Sequence, residues 1–385
     1  MAPGIMNKLN NCNNEREYAM TKKTITIFIV GLMTLLITAC GYRPSVPLPR
    51  PEPDVLPVLP PIVSMATSGF TMAIGIDGTL WAEGINIGGA LGDGSDMTRW
   101  FFDQVGTATN WTSVDTGFWH TVAIRTDGTL WAWGHNRMGT LGDGTTINRY
   151  IPVQIGTGTD WAMAGAGFGR TVAIKTDGTL WEWGGHHEGN PESGSTVPVQ
   201  TGRDNDWVYV AASEMHRFAI KVNGSLWAWG SNIDGQLGDS TTTSRSSPIR
   251  IGNDYDWVRV TTDSFHSMGL RSDGSLWAWG SNSSGQLGDG TRESRLSPVR
   301  VGMYTDWTSI AVGLGYSLAI REDGSLWVWG SMAPLVFGGL AERDVTTPTQ
   351  IHPYYQWVDV VAGRLRAFAI TQDGRIRRLG YPFPE

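Results

Sequence analysis

One position that recurs seven times along the chain carries side chains suited to catalysis or binding. Three of the seven are histidines, which can act as general bases, metal ligands or hydrogen-bond donors near neutral pH. The residues at this position are Phe70, His120, Arg170, His216, His266, Tyr316 and Arg366. Beside them stand Phe118, Trp119, Phe168, Met215 and Phe265. An aromatic and basic ring of this kind suits the capture of a protein partner or of an acidic ligand.

The same side chains have a structural alternative. They can brace their loops by hydrogen bonding to neighbouring backbone, and for the histidines we favour this interpretation. Trp119 lies outside the repeated tryptophan positions described below and is expected to be exposed. It is therefore the best single candidate for a partner contact, with Arg170 next.

No motif in the sequence is typical of a catalytic centre. We find no Ser-His-Asp arrangement, no paired carboxylates at matching repeat positions and no phosphate-binding loop. The two cysteines, Cys12 and Cys40, both precede the repeats, which excludes a disulfide framework, a zinc cluster or a cysteine nucleophile from the main body. We expect no catalytic residue, no metal and no cofactor.

Two motifs share features with metal sites. "LGDGT" at 141–145 and 287–291, with "LGDGS" at 91–95, offers one aspartate per loop. Calcium loops need several oxygen ligands in a fixed order, so turn chemistry is the better account. "GGHHEG" at 184–189 places His186, His187 and Glu188 side by side. Adjacent residues seldom converge on one ion, so adventitious binding is the favoured interpretation.

The elements that position these residues are indicated by seven turn dipeptides, six Asp-Gly and one Asn-Gly. Their glycines are separated by 50, 50, 46, 50, 50 and 50 residues, and they stand at Gly78, Gly128, Gly178, Gly224, Gly274, Gly324 and Gly374. Such dipeptides between apolar runs are strong β-hairpin signals, and a period of this length predicts a solenoid or a propeller.

Each repeat reads as four short strands with both faces buried. Along "TLWAWG", Trp131 and Trp133 point one way while Leu130 and Ala132 point the other, and all four are apolar. A sheet buried on both faces is typical of a propeller blade between two neighbours. Seventeen of the 19 tryptophans fall on three repeated positions, where indole rings fill the spaces between blades; Trp100 and Trp119 do not.

The first and last repeats are incomplete, so we predict a closed seven-bladed β-propeller of four-stranded antiparallel blades over residues 62–385. We expect the segment around Leu56–Val63 to supply the strand missing from the last blade, so that the N- and C-terminal segments pair. A meander places alternate connections at the same end. The loops that carry the recurrent position should therefore share a face with the long glycine-rich loops, opposite the tight Asp-Gly turns.

The repeat resembles that of the regulator of chromosome condensation family. The shared pattern reads D-W-x-x-V-x-x-G-x-x-H, then A-I-x-x-D-G-(T/S)-L-W-x-W-G, then G-Q-L-G-D-G-T before P-V, and residues 257–302 match it almost throughout. The resemblance covers about residues 62–385 and implies an all-β, seven-bladed propeller. Members include a nuclear exchange factor for a small GTPase, a plant ultraviolet-B photoreceptor and a secreted bacterial inhibitor of β-lactamases. The resemblance implies the fold strongly and the function weakly.

The N-terminal residues indicate a targeting signal followed by a spacer. Lys22 and Lys23 precede the apolar run 25–37, and "ITAC" ending at Cys40 resembles the lipobox of bacterial lipoproteins, whose cysteine is lipidated. We expect residues 1–40 to be an N-terminal extension plus a signal peptide removed before Cys40, with Met20 as the true start. Residues 41–61 are rich in proline and predict a stiff spacer. Gly41 after the cysteine favours the outer membrane.

These features predict a non-catalytic, lipid-anchored propeller that binds a protein through its loop face. The alternatives are an envelope enzyme acting on polysaccharide in the central funnel, or an exchange-factor or β-lactamase-inhibitor activity by analogy with the family. The chain has a formal net charge of −7 and no basic cluster in its body, so nucleic acid is not an expected partner. We expect a monomer.

Overall fold

The computed structural model describes residues 59–185, 194–331, 344–364 and 366–379. The described residues form seven antiparallel sheets arranged as the blades of a propeller, with one short 3-10 helix, Ile87–Gly89. This confirms the predicted all-β, seven-bladed fold. In the part of the chain that is described, no helix is both long and apolar enough to cross a membrane. Residues 1–58, including Cys40 and most of the predicted tether, lie outside the described ranges.

Every blade follows the same order of strands, numbered here along the chain. The first strands are β1 Ile62–Thr67, β5 Trp111–Thr116, β9 Trp161–Ala166, β13 Trp207–Ala212, β17 Trp257–Thr262, β21 Trp307–Gly313 and β25 Trp357–Ala362. The second strands are β2 Phe70–Gly75, β6 His120–Arg125, β10 Arg170–Lys175, β14 His216–Lys221, β18 His266–Arg271, β22 Tyr316–Arg321 and β26 Ala367–Thr371.

The third and fourth strands complete the blades. The third strands are β3 Leu80–Gly84, β7 Leu130–Gly134, β11 Leu180–Gly184, β15 Leu226–Gly230, β19 Leu276–Gly280, β23 Leu326–Gly330 and β27 Ile376–Leu379. The fourth strands are β4 Arg99–Gln104, β8 Arg149–Gln154, β12 Ser195–Gln200, β16 Arg245–Ile251, β20 Arg295–Arg300 and β24 Val345–Ile351. Six described sheets have four strands and the seventh has three.

The hairpin turns adopt the conformation that their sequence demands. The glycine of each turn has a positive φ, for example 74° at Gly128, which a side chain would strain. The aspartate before it accepts bonds from the residue that follows the turn, as Asp127 does from the backbone N–H (3.0 Å) and hydroxyl of Thr129. The turn is therefore fixed by local chemistry in each repeat.

The apolar core is divided into seven clusters, each lying between two consecutive blades. In the cluster between blades four and five, Phe218 and Leu226 meet Trp257 and Trp279. The second tryptophan of each pair is fully buried, whereas the first is half-buried under a basic side chain, as Trp131 is under Arg125 at 3.8 Å. Both faces of each blade are thus covered, as the sequence pattern predicts.

The ring closes through a bond that repeats at every joint between blades. The first residue of each first strand donates its N–H to the turn glycine of the preceding blade, as Trp111 does to Gly78 at 3.2 Å and Trp357 to Gly324 at 3.0 Å. Ile62 N–H donates to Gly374 O at 2.8 Å in the same way. Ile62 thus takes the first-strand tryptophan position of blade one, and the first and last described blades meet at this joint.

The predicted closing segment Leu56–Val63 differs in one respect. Ile62 and Val63 belong to β1, the first strand of blade one, and do not extend the sheet of blade seven. Pro61 accepts a bond from Ile76 N–H at 2.7 Å, so it too belongs to the propeller instead of the tether. The part of the segment before Leu59 lies outside the described residues.

Candidate functional site

The recurrent position identified in the sequence begins the second strand in six blades and directly precedes it in blade seven, at the end of the loop from the first strand. These loops lie beside the long loops that follow the third strands, as predicted. His135 N–H donates to Trp119 O, Ser231 N–H to Met215 O and Ser281 N–H to Phe265 O, each at 2.9 Å. We call this end of the propeller the loop face.

The three histidines lie inside the wall of the ring. His120 is 2% exposed, and His216 and His266 are fully buried. Each places Nε2 near a hydroxyl group of the next blade: His120 at 3.0 Å from Thr171, His216 at 3.2 Å from Ser267 and His266 at 2.9 Å from Ser317. The imidazoles therefore brace neighbouring blades through side-chain hydroxyl groups, and not their own loops through backbone, as the structural interpretation of the sequence had it.

The partner of the Ser317 hydroxyl group defines the tautomer of His266. Ser317 donates to the carbonyl oxygen of Gln286 at 2.8 Å, on the long loop of the preceding blade. Since the hydroxyl hydrogen is used there, Nε2 of His266 carries a hydrogen and donates to the hydroxyl oxygen. Burial lowers the pKa of each of the three histidines to about 3, so they are neutral in the folded protein.

The buried histidines should make the protein sensitive to acid. Their pKa lies near 6.5 in the unfolded chain and near 3 in the fold, so only the unfolded state takes up protons between these values. The free energy of unfolding should therefore fall as the pH is lowered from 6.5 towards 3. His266→Gln, which keeps a donor for Ser317, should flatten this dependence in urea unfolding measured at successive pH values.

Comparison of the variant with the wild type at each pH isolates the contribution of His266 to the free energy of unfolding. Burial also raises the pKa of Asp115 and of Asp263 from 3.8 to about 6, and these groups weaken the fold as the pH rises through that range. Both carboxyls remain in His266→Gln, so their contribution cancels in the difference. If the free energy of unfolding of the variant depended on pH as that of the wild type does, the low pKa assigned to His266 would be contradicted.

The other residues at the recurrent position also contact their own protein. Tyr316 is buried, and its hydroxyl donates to Gly363 O in the next blade at 2.7 Å. Phe70 is buried in the cluster between blades one and two. Arg366 lies 3.9 Å from Glu83, and Arg170 lies 3.4 Å from Glu182 with its side chain 39% exposed. Of these four, Arg170 has the most surface available.

The structure brings the predicted aromatic residues of blades two and three together on the loop face. The rings of Phe118 and Phe168 are 5.4 Å apart, and Trp119 lies 4.6 Å from Phe118 and 5.4 Å from Phe168. His135, on the adjacent long loop, completes the group at 5.4 Å from Trp119. Phe118, Trp119, Phe168 and His135 form what we call the aromatic cluster. All four rings are half-buried, so Trp119 is less exposed than the sequence suggested.

A cavity of about 230 Å³ lies on the propeller axis, and residues of all seven first strands or their loops line it. Its charged lining residues are Asp115, Glu214, Arg259, Asp263 and Arg364. Asp115 Oδ2 accepts the N–H of Ala166 at 2.9 Å, whereas Asp263 Oδ2 is buried without a hydrogen-bond partner among the described residues. None of these five residues was predicted from the sequence.

The aspartates of the long loops hold those loops together. Asp143 accepts from Asn136 Nδ2 at 3.0 Å through one oxygen and from Arg149 at 2.7 Å through the other. Asp93, Asp239 and Asp289 repeat the arrangement. Turn and bracing chemistry therefore accounts for "LGDGT". Within the described ranges no group of three or more His, Cys, Asp or Glu residues could hold a metal ion. His186, His187 and Glu188 lie outside those ranges.

Fold and repeat together define a class, the propellers built from the regulator of chromosome condensation repeat. The RCC1-like domain family matches residues 39–369, and the chain belongs to that family. No curated protein sequence matches the chain.

Solved structures show the same fold. Human WBSCR16 is 19% identical with a TM-score of 0.70, over 85% of this chain and 95% of its own. Prp20p from Saccharomyces cerevisiae is 20% identical with a TM-score of 0.69, over 84% and 83%. The same yeast protein bound to Kap60 gives 19% identity and a TM-score of 0.66, over 88% and 86%.

Proposed function

We propose that the protein is a non-catalytic binding protein that captures a protein partner on its loop face, through the aromatic cluster. The observation that supports this is the grouping of Phe118, Trp119, Phe168 and His135 at the surface, where half-buried rings are already held in place. Large aromatic side chains that need little further ordering dominate the energy of protein interfaces. Trp119 is the central member, since it contacts the other three rings.

Structural relatives provide a precedent for protein binding by this fold. Prp20p is described with binding properties towards Gsp1p and histones, and in complex with Kap60. The rival function, hydrolysis or elimination of a polysaccharide in the funnel, has less support. The axial cavity of about 230 Å³ is smaller than the roughly 300–1,000 Å³ of ordinary ligand sites.

The location proposed for this activity is the cell envelope, with a lipid on Cys40 as the anchor. The support is the basic, apolar and "ITAC" sequence that precedes the proline-rich segment. Cys40→Ser should move the protein from the membrane fraction of the native cell to the soluble fraction. Unchanged membrane association of this variant would contradict the anchor without bearing on the loop face.

The aromatic cluster is tested by capture of partners from the native cell envelope. We expect Trp119→Ala to bind the partner protein about 30-fold more weakly than the wild type does, since loss of a central aromatic contact costs about 2 kcal/mol. Trp100→Ala is the matched control, because Trp100 is the other tryptophan outside the repeated positions, is 44% exposed and lies on β4, away from the cluster. Quantitative mass spectrometry of the captured proteins provides the measurement.

Equal capture by both variants would contradict the proposal. The melting temperature of each variant is measured in parallel. A marked decrease for Trp119→Ala alone would show that Trp119 braces its loop and does not mediate binding.

A further inference from the structure

One arginine crosses the loop-face end of the axial cavity. Arg364, on the loop of blade seven, places Nε 2.7 Å from Glu214 Oε1 and Nη2 2.9 Å from Glu214 Oε2. Glu214 lies on the corresponding loop of blade four. Blades four and seven are not neighbours in the ring, so this ion pair spans the loop-face opening of the axial cavity, which we call the mouth. It differs from the histidine contacts, each of which joins consecutive blades.

The guanidinium of Arg364 also lies over an aromatic ring. Its Cζ is 5.0 Å from the centroid of the Phe118 ring, within the range of a cation–π interaction. Nη2 donates a hydrogen bond to Glu214 Oε2, and the Nε contact adds a close ion pair. A carboxylate together with an aromatic face is an environment that a planar guanidinium prefers. The mouth therefore already contains the elements of a site for this group.

At the mouth, the two carboxylates of Glu214 and Asp263 lie near a single cation, Arg364. Burial is the main cause of the raised pKa of Asp263, and the charge of Glu214 raises it further while that of Arg364 lowers it, so all three groups lie close together. Its Oδ2 is buried and has no hydrogen-bond partner among the described residues. Of the charged residues that line the cavity, three are acidic and two are basic; the second base, Arg259, lies on β17 beside Tyr209. A guanidinium that replaced Arg364 and also donated to Asp263 would satisfy the unpartnered oxygen.

We propose that Phe118, Glu214 and Asp263 form a site for an arginine side chain of the partner, and that Arg364 occupies this site in the free protein. The identity of the donor as a partner protein rests on the proposed function, whereas the site itself does not. Phe118 belongs to the aromatic cluster, so an arginine in the mouth would lie next to the surface on which the partner packs.

Arg364 competes with any added ligand for this site, which limits the affinity that can be measured in the wild-type protein. A side chain tethered beside the site has a high effective concentration, so free ligands bind weakly to the wild-type protein. Removal of Arg364 should expose Glu214, Asp263 and the Phe118 ring at once. The partner, whose arginine is brought in by contacts elsewhere on the loop face, can displace Arg364 where a small molecule cannot.

The test uses the full chain and calorimetric titration with N-acetyl-L-arginine amide. Arg364→Ala should bind this probe at least about tenfold more tightly than the wild type, and Arg364→Ala with Glu214→Gln should lose that gain, because a hydrogen bond to a charged group is removed. N-acetyl-L-citrulline amide, which has the same shape without the charge, should show no gain. Arg292→Ala, which removes an exposed arginine bound to Asp344, should bind as the wild type does.

Each contrary result overturns the site. A folded Arg364→Ala variant that binds the arginine compound no more tightly than the wild type would do so. So would a gain that persists when Glu214→Gln is added to Arg364→Ala, or one that extends to the citrulline compound. Arg364→Gln, which keeps a long polar side chain, replaces Arg364→Ala if the latter does not fold. The probe needs no partner, so failure here concerns the mouth alone, whereas failure of partner capture concerns the proposed function.

Discussion

Replacement of Trp279 by alanine is expected to lower the free energy of unfolding by about 3–5 kcal/mol, the usual cost of deleting a large buried aromatic side chain. The indole is fully buried between blades four and five, 5.6 Å from Phe218 and 5.8 Å from Trp257. Its Nε1 also donates to Gln236 O at 2.9 Å, so the deletion removes a hydrogen bond between blades as well. Urea unfolding followed by circular dichroism measures the loss.

The first tryptophan of the same pair is the control. Trp277 is half-buried, and its Nε1 donates to Ser275 Oγ within its own blade at 2.9 Å. Trp277→Ala should therefore cost less, about 1–2 kcal/mol. Equal losses for the two variants would mean that the interior indoles do not hold the blades together.

The second large effect is expected at the closing joint between blades seven and one. Glu83 takes the position of the buried tryptophan in blade one and is 3% exposed. It pairs with Arg378 of blade seven at 2.5 Å and lies 3.9 Å from Arg366. Glu83→Ala leaves two guanidinium groups in the joint without their carboxylate, and we expect a loss of about 3 kcal/mol.

Restoring the repeat pattern should recover much of this loss. Arg378 takes the position that an alanine holds in four of the other blades, so Glu83→Trp with Arg378→Ala recreates an ordinary joint. Burial raises the pKa of Glu83 above its usual value in spite of the two arginines, which indicates that desolvation outweighs their attraction. The double variant should therefore be more stable than Glu83→Ala in urea unfolding. A double variant no more stable than Glu83→Ala would contradict the equivalence of the joints.

The fold was predictable because its determinants are local and repeated. Asp-Gly turns define the hairpins, and alternation along "TLWAWG" defines both faces of each blade. Even the face shared by the two sets of loops follows from the meander alone. The histidines were harder to assign, because the sequence gives their position on a loop but not their burial against a hydroxyl group of the next blade.

The ion pairs of the loop face and the closing joint were not predicted, because they depend on distances across the ring. Glu214 and Arg364 hold the position that Phe118 and Phe168 hold in blades two and three, so alignment of the repeats could have marked them as unusual. Alignment could not show that blades four and seven meet at the mouth. In the same way, the contact of Arg378 with Glu83 requires knowing which positions of consecutive blades face each other.

Among the described residues, the polypeptide runs directly from each blade to the next except at the joint between blades seven and one, which the bond from Ile62 to Gly374 closes. If one end of the chain is held at a surface and the other is pulled, the load therefore acts first on this joint. Blade seven would peel away strand by strand while the remaining six, linked in series by covalent chain, stay intact. The force needed to open the ring then depends on the contacts at this joint, among them those of Glu83 with Arg378 and of Phe102 with Phe368.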